Sequence, residues 1–125
     1  IKETIGFDPC LFRPPMGLDS PMLLEVAKKN GLIAVEWDVD AGDYQLPGAD
    51  VIAQESIANV HNGAIILLHD GGGDRSQSLA AAQVIIDSLK QRGYKFVTVP
   101  ELLQLPIQKP EEKLSASGST NAAKS

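Results

Sequence analysis

The chemistry available to this sequence gathers in three short polar clusters. His69 closes the apolar run Ala64-Ile65-Ile66-Leu67-Leu68 and is followed by Asp70 and the triplet Gly71-Gly72-Gly73. An imidazole leaving a buried strand into a glycine loop can move protons, because it titrates near neutrality and one ring nitrogen can be held while the other reacts. The competing reading is a partly buried histidine bonded to backbone. The second cluster, Trp37-Asp38-Val39-Asp40-Ala41-Gly42-Asp43-Tyr44, offers Asp40 and Asp43 as carboxylates to orient that ring. Asp-Ala-Gly-Asp is equally a favourable turn sequence, and residue type alone assigns Asp43 to the turn. The third cluster, Phe12-Arg13-Pro14-Pro15-Met16-Gly17, holds Arg13 on stiff backbone, which suits a fixed fork meeting a carboxylate, or a surface arginine in a proline turn.

Two weaker signals complete the inventory. Gly71 to Arg75 precedes a helix and could cradle an anion with backbone N–H groups, although the P-loop spacing and its lysine are absent. His61 falls at a helix C-terminus, where interaction with the dipole accounts for it.

The elements that must position these clusters alternate in period. Ser20 and Pro21 open a helix over about 20–30 with Leu23, Leu24, Val26 and Ala27 as its apolar stripe, stopped at Gly31. Residues 32–37 read as a buried strand, about 48–61 as a helix with Ile52, Ser56 or Ile57, and Val60 on one face, and Ala64 to Leu68 as a second strand. Ser76 or Asp74 caps a helix with Leu79, Ala82, Ile86 and Leu89 at helical spacing, stopped at Gly93. Tyr94 to Val99 reads as a third strand, and Pro100 opens a short last helix. Such alternation predicts an α/β fold with parallel strands, either an open sheet or part of a β/α barrel. The clusters after strands then converge on the ligand end, and a short strand at Cys10 to Phe12 would bring all three to one face.

Composition excludes several functions. The chain has 125 residues, 16 acidic against 11 basic, for a net charge of −5, which opposes a phosphate-tracking surface and makes nucleic acid a poor partner. The single cysteine, Cys10, rules out an internal disulfide and a cysteine-based zinc cluster. No apolar run approaches the roughly 20 residues needed to cross a bilayer. Residues 1–105 read as the folded part, and 106–125, rich in Lys, Glu, Ser and Ala, as a solvated tail or linker.

In order, Phe12-Arg13-Pro14-Pro15 with Gly17, Trp37-Asp38-Val39-Asp40 with Asp43, and Leu67-Leu68-His69-Asp70 resemble the last three of five motifs of the polysaccharide deacetylases. This is the NodB-homology family, or carbohydrate esterase family 4. The resemblance runs from about Ile1 to Leu105 and implies the C-terminal part of a distorted (β/α) barrel. The implied activity is hydrolysis of acetyl groups from N-acetylated (or O-acetylated) sugars, using a divalent metal, usually zinc. The resemblance further implies an extracellular or cell-envelope location.

By that similarity Arg13 positions the catalytic base, the Met16 backbone N–H contributes to an oxyanion hole, and Asp40 orients His69. His69 protonates the leaving amine, Leu67 lines the pocket for the acetyl methyl, and Tyr44 walls the groove. Met16 stands where tyrosine is usual and Tyr44 where tryptophan is usual. The Thr-Phe-Asp-Asp and His-x-x-x-His motifs, which carry the family's base and metal ligands, are absent, so no metal is expected on this chain alone. The chain therefore reads as the C-terminal half of a catalytic domain, whose partners are an acetylated polysaccharide or oligosaccharide and the missing N-terminal half. Two other classes remain open: a degenerate, non-catalytic glycan-binding domain, and a small anion- or nucleotide-binding α/β module using Gly71 to Gly73.

Overall fold

In a computed structural model, residues 2–105 are described; the tail read over 106–125 lies outside them. A one-turn helix α1 (Lys2–Ile5), which no sequence pattern announces, precedes strand β1 (Leu11–Phe12) and a 3₁₀ turn at Pro15–Gly17. Helix α2 (Pro21–Lys29), strands β2 (Ile33–Ala34) and β3 (Val39–Asp40), and a 3₁₀ turn at Asp43–Gln45 follow. Helix α3 (Ala49–Asn59), strand β4 (Ile66–Leu67), and helices α4 (Ser76–Gln91) and α5 (Val99–Leu102) complete the order.

The helix boundaries follow from local chemistry. Ser20 Oγ accepts from Leu23 N at 3.2 Å, satisfying one orphan donor of α2, while Pro21 loses nothing at the first position. Asp74 Oδ1 accepts from Ser76 N at 2.9 Å where α4 starts. Thr98 and Glu101 form a reciprocal capping box on α5, with Pro100 in its first turn.

Both strand pairs are parallel, β1 with β2 and β3 with β4, in register Leu11↔Ile33 and Val39↔Ile66. They form two separate two-stranded sheets. The ladders are two residues long, shorter than the apolar runs that predict them, because each strand finds only one neighbour among the described residues. The strand expected at Tyr94 to Val99 does not form, since no strand among the described residues pairs with it. Tyr94 N instead donates to Leu89 O at 3.0 Å in the exit from α4, and Phe96 and Val97 are exposed.

The core sits where α3 packs on α4 over the β3–β4 pair. Ile52 and Ala53 of α3, Ala81, Ile85 and Leu89 of α4, and Ala41 form the buried cluster. The apolar stripe expected on α4 holds at Leu89 and is corrected by one residue at its other three positions. The buried face is Ser78, Ala81, Ile85 and Leu89, and Leu79 is 76% exposed. Two adjacent stripes of α4 share helical spacing, and contact with α3 selects between them. On α2, only Ala27 of the expected stripe is buried, while Leu24 and Val26 are exposed.

Candidate active site

Strands β3 and β4 end side by side, with Asp40 in register with Leu67, and the chain emerges from both at the same end. From β4 it reaches His69 within two residues. From β3 it enters a tight loop: Asp40 Oδ1 accepts from Gly42 N at 2.9 Å, Gly42 takes φ +64°, and the 3₁₀ turn Asp43–Gln45 follows. That turn puts the Asp43 carboxylate under His69. Asp43 Oδ1 lies 2.7 Å from His69 Nδ1, and Oδ2 accepts from the His69 main-chain N–H at 2.8 Å and from Ser78 Oγ at 2.6 Å.

The Asp43 side chain is 0% exposed and that of His69 is 38% exposed. Burial alone would raise the pKa of Asp43. The Ser78 hydroxyl, the His69 main-chain N–H and the His69 ring together outweigh it, holding the carboxyl below its ordinary value of 3.8. An ionised carboxylate only accepts, so Nδ1 of His69 carries the proton of their shared bond, leaving Nε2 for the reacting group. Tyr44 approaches the imidazole edge-on, with ring centroids 5.8 Å apart at 74°.

This geometry corrects the expectation for Asp40. Asp40 does not orient His69; it shapes the turn that delivers Asp43, the residue otherwise read as the turn former. Ser78 is the functional residue that motif reading misses. Its signal is a serine heading the buried α4 stripe of Ala81, Ile85 and Leu89, where an apolar residue would be ordinary.

Arg13 and Met16 belong to a second cluster, built around Trp37. Arg13 Nε donates to Val35 O at 3.4 Å, and its guanidinium carbon stands 5.7 Å from the centre of a Trp37 ring. A Cβ on Gly17 would meet Trp37 Cη2 at 2.9 Å, so this close approach requires glycine. Met16 holds φ +57° and ψ +20°, left-handed backbone that costs a non-glycine residue about 1 kcal/mol, and its side chain is 83% exposed. Asp38 ties the two clusters together, since its Oδ2 accepts from Ile65 N at 2.8 Å while its own N–H donates to Ile65 O at 3.0 Å.

No protein-family model matches the chain. The peptidoglycan-N-acetylglucosamine deacetylase of Bacillus cereus is 44% identical over 99 residues, covering 78% of this chain and 46% of the relative. The chitooligosaccharide deacetylase of Azorhizobium caulinodans is 36% identical over 100 residues, covering 71% of this chain and 48% of the relative. A solved peptidoglycan N-acetylglucosamine deacetylase superposes with TM-score 0.78 at 30% identity, covering 86% of this chain and 51% of that one.

The chain belongs to carbohydrate esterase family 4. It spans less than half the length of the two curated relatives named above. Its α/β fold with short parallel strands is part of the distorted (β/α) barrel of that family. Membership does not decide activity, because a family 4 pseudoenzyme from Bacillus anthracis also superposes, with TM-score 0.73 at 29% identity, covering 82% of this chain and 35% of that one.

The family's implied divalent metal finds no donor set here. Among the described residues, no three His, Cys, Asp or Glu side chains gather as a metal site. His69 is engaged by Asp43, and His61, exposed past the end of α3, donates from Nδ1 to Asn62 O at 3.1 Å. At the glycine loop, Arg75 folds back to donate to Gly71 O at 2.8 Å and Gly72 O at 3.2 Å, which engages the loop's carbonyls and not its N–H groups. No helix among the described residues is long and apolar enough to cross a membrane.

Proposed function

We propose that this chain supplies the proton-donor side of a metal-dependent polysaccharide deacetylase acting on N-acetylated sugars at the cell envelope or outside the cell. The observation that carries the reading is the buried Asp43 carboxylate holding Nδ1 of a half-exposed His69 at 2.7 Å, at the end of a parallel strand pair. Amide hydrolysis adds water across the C–N bond and releases acetate and an amine. Expulsion of that amine is slow until its nitrogen is protonated. His69 donates this proton from Nε2, while Asp43 fixes the ring through Nδ1.

The remaining residues take the parts implied by family membership. The Met16 N–H donates to the developing oxyanion, a role indifferent to the side chain it replaces. Arg13, braced by Trp37 and Val35 O, positions the catalytic base. Leu67 lines the acetyl pocket and Tyr44 walls the groove. The base and the metal, zinc by family habit, belong to protein outside this chain. Open strand edges and the exposed apolar residues of α2 support such a companion, as does the greater length of the relatives.

The test is acetate release from N-acetylated chitooligosaccharide and from peptidoglycan by the complete protein. Release that falls on the order of 10²–10⁴-fold in His69→Ala, with metal content unchanged, is the expected result. A folded complete protein that binds glycan without releasing acetate would place it with the pseudoenzymes instead.

A further inference from the structure

Asp43 has a partner that the family reading leaves without a role. Ser78, 3% exposed in the first turn of α4, donates to Oδ2, the oxygen that also takes the His69 main-chain N–H. Two donors on Oδ2 leave Oδ1 alone to face Nδ1 of His69. The helix carrying Ser78 is anchored by Ala81, Ile85 and Leu89 in the core, so the hydroxyl cannot drift from the carboxylate. An alanine would fill the same helix position with equal packing; serine adds only the hydrogen bond.

We propose that Ser78 is a positioning residue that sets the proton affinity of His69 through Asp43. A donor on one carboxylate oxygen draws negative charge from the other and makes the group facing the imidazole less basic. The imidazolium then holds its proton less tightly and gives it up more readily. The titratable groups in contact with His69 are Asp43 and, edge-on, Tyr44; Asp70 is its exposed neighbour along the chain. Ser78 therefore acts on the ring through Asp43 alone. The inference rests on His69 being the proton donor proposed above.

The test is the titration midpoint of His69, followed by NMR in the complete protein, beside the pH profile of kcat. Ser78→Ala should move the midpoint and the alkaline limb of kcat to higher pH by about half a unit. Ser56→Ala is the control, because it removes another fully buried hydroxyl, this one without a hydrogen-bond partner, from the facing helix without touching Asp43. It should leave the midpoint in place. An unmoved or lowered midpoint in Ser78→Ala overturns the proposal, as does an equal shift in Ser56→Ala. If the complete protein releases no acetate but the midpoint still answers to Ser78→Ala alone, the tuning stands and the deacetylase reading falls.

Discussion

The part of the chain before β3 and the part after it are built to different standards. From β3 onward, α3 and α4 close over β3–β4 and bury Ile52, Ala53, Ala81, Ile85 and Leu89, and this packed body holds Asp43, Ser78 and His69 in one hydrogen-bonded set. Before β3, only Pro14, Ala27 and Val35 are buried among the described residues, while Met16, Leu18, Met22, Leu24, Val26 and Ile33 are exposed. The Asp43–His69–Ser78 set to which the proton transfer is assigned by proposal thus lies within this packed body. Arg13 and Met16, whose proposed roles need a base and an oxyanion, stand on the open side.

The largest effect that sharpens this contrast is kinetic. In the complete protein, His69→Ala should lower kcat by about 10²–10⁴-fold, whereas Tyr44→Phe, which keeps the ring beside His69 and removes only the hydroxyl, should lower it less than about tenfold. A comparable loss in both would mean that Tyr44 shares the proton transfer.

Stability should divide along the same line. Leu89→Ala should cost about 2–5 kcal/mol in chemical denaturation, the range for a large core side chain that leaves a cavity. Leu24→Ala should cost less than about 0.5 kcal/mol if its face remains solvated, and more than about 1 kcal/mol if protein packs on it. We expect the second result in the complete protein; the first would show that the open side stays open.

Asp43→Asn should cost about 1–3 kcal/mol near neutral pH, because an amide cannot accept from all three donors at once. The pH dependence follows from the depressed pKa of Asp43. The stability this carboxylate contributes is fully present above its ordinary value of 3.8 and is lost as pH falls through the lowered folded-state value. Acid denaturation should therefore show the gap between parent and Asp43→Asn flat above that value and shrinking below it. A gap constant throughout would detach the carboxylate's charge from folding. Smallest of all, Ser56→Ala should be neutral or stabilising by about 0.5 kcal/mol, because its Oγ is buried without a hydrogen-bond partner.

Much of this was legible in the sequence because it is local. The cap at Ser20, the proline that opens the last helix, the glycine stops and the alternation of helix and strand are written in residue types, and the motif order carried the family. Strand length was not legible, since a ladder depends on a neighbour rather than on the apolar run that offers to join it. The absent strand at Tyr94 to Val99 illustrates this. Nor could spacing choose between the two apolar stripes of α4, a choice made by α3. The assignment of Asp40 failed for a related reason. Asp40 and Asp43 are both carboxylates in one loop, and only the 3₁₀ turn after Gly42 decides which of them reaches His69.

That decision is the centre of the account, and the tautomer of His69 tests it directly. Imidazole ¹⁵N shifts in the complete protein should report Nδ1–H for the neutral ring in the parent and in Asp40→Asn. In Asp43→Asn, the amide oxygen must serve the His69 main-chain N–H, which turns the amide nitrogen toward Nδ1 and forces the proton to Nε2. A switch to Nε2–H in Asp43→Asn alone is the predicted result. A switch in Asp40→Asn with Asp43→Asn unchanged would contradict it.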